Sequence, residues 1–165
     1  MTLRADAQRN LDALLGAAAE CFAEQGVDAS VDEIARRAGV GHGTVFRRFP
    51  TKDALLVAVL EVQMRELVIL ADDALHGDVG EGFERFMRQG ADAYARNRAL
   101  IDAVKRCEHT PSVGALVESV QRLVEHAQAA GALRQGLTAD DVLSLLPTAS
   151  VYPDVILDGL RPPRG

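Results

Sequence analysis

The chain has 165 residues, of which 48% are hydrophobic and 25% are charged, and its formal net charge is −6. This is the composition of a globular protein long enough for one or two small packed units. No apolar run approaches the roughly 18 residues of a membrane-spanning helix, and the N-terminal MTLRADAQRN lacks the apolar segment of a signal peptide. The sequence therefore predicts a cytoplasmic protein with no membrane partner.

The acidic net charge alone argues against a nucleic-acid partner. However, residues 1–52 contain seven basic and seven acidic side chains, whereas residues 53–165 contain eleven basic and seventeen acidic ones. The whole excess of negative charge therefore lies in the second part. Because a phosphate responds to charges within a Debye length of roughly 8–10 Å, the net charge does not exclude DNA binding by the first part.

The first part is predicted to be a loose arm followed by a helix. Residues 1–8 form the arm, from which Arg4 and Arg9 could reach a phosphate or the minor groove. An arm that only contacts water is an equal alternative. Over residues 9–25 the apolar side chains recur at helical spacing, and Gly26 ends the helix. The apolar positions are Leu11, Leu14, Leu15, Ala18 and Phe22.

Two short helices are predicted next, over residues 31–38 and 42–49. Ser30 precedes the first as N-cap, and Glu33 completes the S-x-x-E pattern of a capping box. Gly39 follows this helix, because a left-handed backbone costs glycine little. Pro50 ends the second helix. Thr51 caps a further helix beginning at Lys52. Two short helices joined by a tight turn indicate a helix-turn-helix, whose second helix enters the DNA major groove by its N-terminal end.

The side chains of this unit suit contact with DNA. The segment from Arg36 to Lys52 contains five basic residues and no acidic one. Small or polar residues at 41–44 let the backbone approach DNA closely, while Arg47 and Arg48 can bond phosphates or guanine edges. The alternative is a charged helix face that only contacts water. The residues predicted to contact DNA are Ser30, Arg37, Gly41, His42, Gly43, Thr44, Phe46, Arg47, Arg48 and Lys52.

This unit resembles the DNA-binding signature of the TetR family of transcriptional regulators. The matching residues are V-D-E-I-A at 31–35, A-G-V at 38–40, G-T-V-F at 43–46, F-P-T-K at 49–52 and A-L-L at 54–56. The resemblance covers roughly residues 9–60. It implies a ligand-responsive repressor that binds a pseudo-palindromic operator as a dimer. It also implies that Thr44 is the recognition-helix threonine and Lys52 the lysine that contacts a phosphate.

Two positions depart from the family pattern. Phe46 stands where the family usually has a tyrosine whose hydroxyl contacts a phosphate, so that contact is absent. His42 occupies a variable base-reading position that often carries lysine. The operator sequence therefore cannot be copied from a relative.

Residues 53–165 are predicted to form a separate helical body. The end of the chain is interrupted by Pro147 and Pro153, and is shorter than the two substantial helices with which the family dimerises. Dimerisation is nevertheless placed there. The predicted elements are a long helix from Lys52 to about Leu75, a turn at 76–80, a helix through Tyr94, a helix capped by Asn97, a break at 107–111, a helix over 112–130, and a last region capped by Thr138.

An apolar cavity for an unknown small-molecule effector is predicted within this body. The alternative is that the same side chains simply fill the core. A metal effector at Cys107 and His109 is a weaker hypothesis, since the two cysteines are more simply explained as reduced, buried thiols. The residues predicted to line the cavity are Met64, Phe83, Phe86, Met87, Tyr94 and Ile101.

No catalytic chemistry is predicted. The four histidines show no i, i+4 metal-binding spacing, and no P-loop, nucleophile elbow or dinucleotide motif is present, so neither an enzyme nor a cofactor is expected. The sequence predicts an all-α protein with a three-helix DNA-binding unit at 1–52 and a helical ligand-binding and dimerisation bundle at 53–165. The rival hypotheses are a helical binding module that has lost DNA binding, and an enzyme on a helical scaffold.

Overall fold

The computed structural model describes residues 2–104 and 111–163, with side chains described for 6–97 and 112–163. Within these ranges the chain forms α-helices, one short 3₁₀ turn and no β-strand, which confirms the predicted all-α fold class. The helices are α1 (Thr2–Gln25), α2 (Val31–Arg37), α3 (His42–Arg48), α4 (Lys52–Asp73), α5 (Val79–Val104), α6 (Pro111–Ala129), α7 (Ala139–Ala149) and α8 (Pro153–Leu160), and the 3₁₀ turn is Gly26–Asp28.

The helices fall into two compact units. The first comprises Met1–Val62 with Asn97–Glu108, and the second comprises Gln63–Arg96 with His109–Gly165. The chain passes from one unit to the other within α4, after Val62, and again within α5, after Arg96. The division of function placed at residues 52 and 53 stays a prediction, because compact packing alone does not assign a role to either part.

The first unit has a core built from four helices. From α1, the predicted apolar positions Leu14, Ala18 and Phe22 are buried, and Cys21 lies beside them in the same stripe. Burial of these side chains removes apolar surface from water, which is the dominant stabilising term for a unit of this size. The other buried residues are Ala17 of α1, Ala29 before α2, Ile34 and Ala35 of α2, Val45 of α3, and Leu55, Leu56, Val59 and Leu60 of α4.

The prediction of a loose arm at residues 1–8 is wrong for residues 2–8, which form the first two turns of α1. This segment contains neither glycine nor proline. Its alanine, leucine, arginine and glutamine residues have high helix propensity, so the helix continues to the start of the described chain. Arg9 forms an ion pair with Asp6 one turn earlier.

The second unit encloses a larger core, in which Phe86, Met87, Leu123 and Val142 are fully buried. At Gly82 the backbone of α5 comes very close to the backbone of Ala74. A Cβ added at Gly82 would lie only 2.1 Å from the carbonyl oxygen of Ala74. Glycine therefore lets the start of α5 pack directly on the backbone that follows α4.

Two predicted boundaries in this part of the chain are corrected. No new helix begins at Asn97, because α5 continues through it to Val104. Alanine and arginine residues flank Asn97, and their helix propensity outweighs the weak preference of asparagine for a cap. Pro147 does not end α7, which extends to Ala149. The predicted break at 107–111 falls largely on 105–110, which lie outside the described residues.

The predicted cap of α7 is confirmed. Thr138 and Asp141 form a capping box, in which the threonine side chain accepts from the backbone N–H of Asp141 and the Asp141 carboxylate accepts from that of Thr138. Hydrogen bonds that the Thr138 hydroxyl and the Thr138 backbone N–H donate to its carboxylate lower the pKa of Asp141. No helix within the described ranges is both long and apolar enough to cross a membrane.

Candidate nucleic-acid interface

The turn between α2 and α3 has the backbone geometry that the glycine pattern predicted. Gly39 has a left-handed φ of 67°. The N–H of Val40 then bonds the carbonyl oxygen of Ala35 at 3.0 Å, closing the C-terminal end of α2. An added Cβ at Gly39 would meet nothing within 4 Å, so backbone conformation rather than space requires glycine here. Gly41 caps α3, and its carbonyl accepts from Thr44 N–H at 2.8 Å.

Ser30 caps α2, but the predicted capping box with Glu33 does not form. The Ser30 hydroxyl oxygen accepts from the backbone N–H of Asp32 at 3.3 Å instead of that of Glu33. The Glu33 carboxylate accepts hydrogen bonds from Arg36 at 2.6 Å and from Arg37 at 2.9 Å. Two charged donors within one helical turn hold the carboxylate more strongly than one neutral backbone N–H, which explains the correction.

Arg37 is the centre of this charged network. Its guanidinium donates to Glu33 and also to both oxygens of Glu24 in α1, at 2.9 and 2.7 Å. Hydrogen bonds from Arg36 and Arg37 lower the pKa of Glu33 to about 2, and the bond from Arg37 lowers the pKa of Glu24. Arg37 therefore joins α1 to α2. The contact of Arg37 with DNA stays a prediction. The bonds to Glu33 and Glu24 act against it, because they already occupy the guanidinium.

Helix α3 presents most of its surface to solvent. Val45 is buried with 1% of its surface exposed and anchors the helix to the core, while its neighbours are exposed. Arg47 lies back along the helix and donates to the carbonyl oxygen of Gly43 and to the Thr44 hydroxyl, both at 3.2 Å. Neither Arg48 nor Lys52 is paired with a carboxylate among the described side chains. The exposed face of α3 therefore carries positive charge that no described carboxylate neutralises. It lies beside the small and polar residues 41–44 at the start of the helix.

His42, the first residue of α3, contacts two other side chains. Its Nδ1 is in hydrogen-bonding contact with Oδ1 of Asp32 in α2. Its ring centroid lies 4.6 Å from that of Phe46, one turn later, with the rings tilted by 38°. Asp32 is not among the residues predicted from the sequence to contact DNA. A carboxylate ten residues before a histidine is a common pattern, and only the crossing of α2 and α3 brings the pair together.

The residues predicted to line an effector cavity lie mainly in the core of the second unit. Phe83, Phe86 and Met87 are buried there, and Met64 and Tyr94 are half-buried against them. Ile101 belongs to α5, but its side chain lies outside the described residues. Their role in binding an effector stays a prediction.

Two open cavities of the second unit are lined by other residues. One has a volume of about 780 Å³ and the other about 430 Å³. Their linings are Gly131, Leu133, Arg134, Gln135, Gly159, Arg161, Pro162 and Pro163 for the larger, and Glu81, Glu84, Arg85, Arg88 and Gln89 for the smaller.

The metal hypothesis at Cys107 and His109 falls outside the described residues. Among the residues that are described, no group of three or more His, Cys, Asp or Glu side chains is placed to hold a metal ion. Cys21 is a buried free thiol, as expected, and its burial raises its pKa.

Family models match both parts of the chain. The model for bacterial regulatory proteins of the tetR family matches residues 14–59, which include α2 and α3. The model for the C-terminal domain of SbtR-like transcriptional regulators matches residues 78–162, about half of the chain. The two matches follow one another in the order expected from the sequence.

Individual relatives agree with these models. An HTH-type transcriptional repressor of Mycobacterium tuberculosis is 36% identical over 113 residues, which are 66% of this chain and 57% of that protein. An uncharacterized HTH-type regulator of the same species is 32% identical over 133 residues, covering 74% and 69% of the two chains. The crystal structure of a TetR transcription regulatory protein from Mycobacterium vanbaalenii superimposes with a TM-score of 0.79 and 40% identity, covering 97% of this chain and 99% of that one.

Proposed function

Because this chain belongs to the TetR family of bacterial regulatory proteins, we propose that it is a ligand-responsive repressor that binds a pseudo-palindromic DNA operator as a homodimer. Its role as a transcriptional regulator follows from the family. The finer proposal depends chiefly on one observation: α3 is anchored by buried Val45, while its other side presents exposed polar and basic groups.

We assign the DNA contacts by position on this surface. Thr44 and His42 lie in the first turn of α3, the part of a recognition helix that reaches base edges in the major groove. Arg48 and Lys52 lack carboxylate partners among the described side chains and are suited to phosphate oxygens. Arg47 can exchange its two weak intrahelical hydrogen bonds for contacts with DNA, because both are 3.2 Å long and exposed to water.

A homodimer would place two such helices in successive major grooves, about 34–36 Å apart. Three large apolar side chains near the end of the chain support this assembly. Val151, Tyr152 and Val155 expose 64%, 60% and 70% of their surfaces in the single chain. Because they lie within five residues of one another around the start of α8, a second copy can cover them together in a two-fold interface.

The dimer proposal is tested by Val155→Asp, with Ile69→Asp as the matched control. Ile69 is also exposed, at 60%, but lies on α4. Sedimentation equilibrium should show a dimer for the wild type and the control, and a monomer for Val155→Asp. A dimer that tolerates the charge at position 155 would contradict this location of the interface.

Repression would be relieved by an effector that binds the second unit. An effector can shift the protein away from its DNA-binding state only if it binds the other state more tightly. An effector that enters the packed apolar cluster around Phe86, past half-buried Met64 and Tyr94, would need an apolar body.

The repressor proposal is tested by titrating purified protein against fragments of its own flanking genomic DNA at two salt concentrations. The expected result is tight, salt-sensitive binding of two protomers to one palindrome. Arg47→Ala should weaken this binding, while Arg65→Ala, an exposed arginine of α4, should not. A folded wild-type protein that binds none of these fragments specifically would instead favour a helical binding module without DNA recognition.

A further inference from the structure

His42 is held in place by residues on either side of it. Asp32 of α2 contacts ring atom Nδ1, and the Phe46 ring lies 4.6 Å away on α3 itself. The backbone of Asp32 is held in turn, because its N–H donates a hydrogen bond to the Ser30 hydroxyl oxygen. The histidine is still 55% exposed, so the contacts restrict its ring without removing it from solvent.

These contacts define which ring nitrogen is available to a ligand. An ionised carboxylate accepts hydrogen bonds and cannot donate them, so Nδ1 carries the proton in the contact with Asp32. The free nitrogen is therefore Nε2, on the opposite edge of the ring. In the neutral ring Nε2 is an acceptor, and an acceptor held in a fixed position can distinguish the donors and acceptors that base pairs present in the major groove.

We propose that Asp32 and Phe46 are specificity-determining positioning residues of the DNA site, which act through His42 by fixing its ring for contact with one base pair. This inference rests on the proposed function. It also gives Phe46 a role at the position where the family usually has a tyrosine, since its ring supports the histidine instead of contacting a phosphate.

The charge of Asp32 supports this assignment. The carboxylate is 77% exposed on the unit proposed to face DNA, where it repels phosphates and lowers affinity for every sequence. Its neighbour Glu33 is neutralised by two arginines, whereas Asp32 faces the histidine. A negative side chain at this place is therefore unfavourable for general DNA binding, while it suits the first turn of α2 and holds His42.

The test begins with selection of binding sites from a randomised duplex library by the wild-type protein. Affinities of wild type, His42→Ala, Asp32→Ala and Phe46→Leu are then measured for the selected site and for each single-base variant of one half-site. At one and the same base pair, we expect each of the three variants to prefer the selected base over its alternatives about three- to tenfold less than the wild type does. This is the effect of losing one hydrogen bond. Changed preference at different base pairs, or none, would overturn the proposal.

A double-mutant cycle distinguishes an effect of Asp32 on the position of His42 from a direct effect of its negative charge on DNA. If Asp32 acts through His42, Asp32→Ala should not change base preference further in the His42→Ala background. Asp32→Asn keeps an oxygen that can accept from Nδ1 and should retain the wild-type preference while binding all sequences more tightly. Equal loss of preference from Asp32→Ala in both backgrounds would show that Asp32 acts independently of His42.

Folding and function are checked in the same series. Circular dichroism and melting temperature establish that each variant is folded, and Asp32→Asn provides the conservative substitution if Asp32→Ala loosens the start of α2. If the wild-type protein enriches no sequence from the library, the proposed function itself fails. If it enriches a site that the Asp32 and Phe46 variants read unchanged, only the present inference fails.

Discussion

The guanidinium of Arg37 donates to both carboxylate oxygens of Glu24, at 2.9 and 2.7 Å, and thereby joins α2 to α1. Two-point arginine–carboxylate pairs fix orientation as well as distance. The pair therefore contributes to the angle at which the helix-turn-helix is held on the core of the first unit.

Arg37→Gln should lower the melting temperature by a few degrees, because it removes bonds to both Glu24 and Glu33. The matched control is Arg36→Gln, which removes an arginine that is 72% exposed and bonds Glu33 of its own helix. Its effect should be smaller, since exposed pairs within one helix contribute little. Equal melting temperatures for the two variants would contradict a bracing role for Arg37. The measurement is thermal unfolding followed by circular dichroism.

The stability of this network should depend on pH in a defined window. Bonds from Arg36 and Arg37 lower the pKa of Glu33 from 4.5 to about 2. A carboxylate with a lowered pKa stabilises the folded state above its unfolded-state pKa, and this contribution is lost as the pH falls through the folded-state value. The difference in melting temperature between wild type and Glu33→Gln should therefore be constant near neutral pH and shrink below 4.5. A difference that persists at pH 2 would contradict this pairing.

Gly82→Ala should destabilise the second unit, because the added Cβ would lie 2.1 Å from the carbonyl oxygen of Ala74. The backbone must shift to accept it, at a cost of about 1–3 kcal/mol. Gly114→Ala is the matched control, since a Cβ at this position in α6 meets nothing within 4 Å. It should stabilise the protein by about 0.5–1 kcal/mol through helix propensity. Urea unfolding of both variants measures the two free energies of unfolding.

Thr138→Ala should cost about 0.5–2 kcal/mol, the usual range for an N-cap. The substitution leaves the N–H of Asp141 without its cap acceptor. Ser144→Ala, one turn later, removes only a hydroxyl that donates to the backbone carbonyl of Asp141 on an exposed surface. Urea unfolding should show a larger loss in the free energy of unfolding for Thr138→Ala than for Ser144→Ala. Similar losses would show that the capping box adds little to α7.

Lys52→Ala should weaken binding to all DNA sequences by a similar factor. Each lysine that neutralises a phosphate releases counterions, so its loss should reduce the slope of log affinity against log salt by about one unit per protomer. Arg65→Ala should leave the slope unchanged. A Lys52 variant with altered base preference and an unchanged slope would show that this side chain does not contact the phosphate backbone.

The helix-turn-helix could be predicted from sequence because its boundaries depend on local signals. Gly39 requires a left-handed backbone and Pro50 stops a helix, and both act without help from distant residues. Thr138 is a similar case. These signals place the elements within a residue or two of their observed ends.

The errors occurred where several partners compete or where distant residues meet. Ser30 and Glu33 fit the capping-box pattern, but Arg36 and Arg37 take the carboxylate. Asn97 can cap a helix, yet its neighbours continue one. The contact between Asp32 and His42 depends on how two helices cross. No local pattern records that angle, so only the folded structure reveals the contact that supports His42.

The burial of Cys21 gives the first unit a chemical reporter of its own motions. The thiol has no measurable exposure, and burial raises its pKa, so the reactive thiolate is both scarce and shielded in the folded state. In a Cys107→Ser background, a thiol-specific reagent would modify Cys21 only during transient opening of the core of the first unit. The rate of modification therefore reports the population of the open state when the core recloses faster than the reagent reacts, and the rate of opening when the reagent is faster.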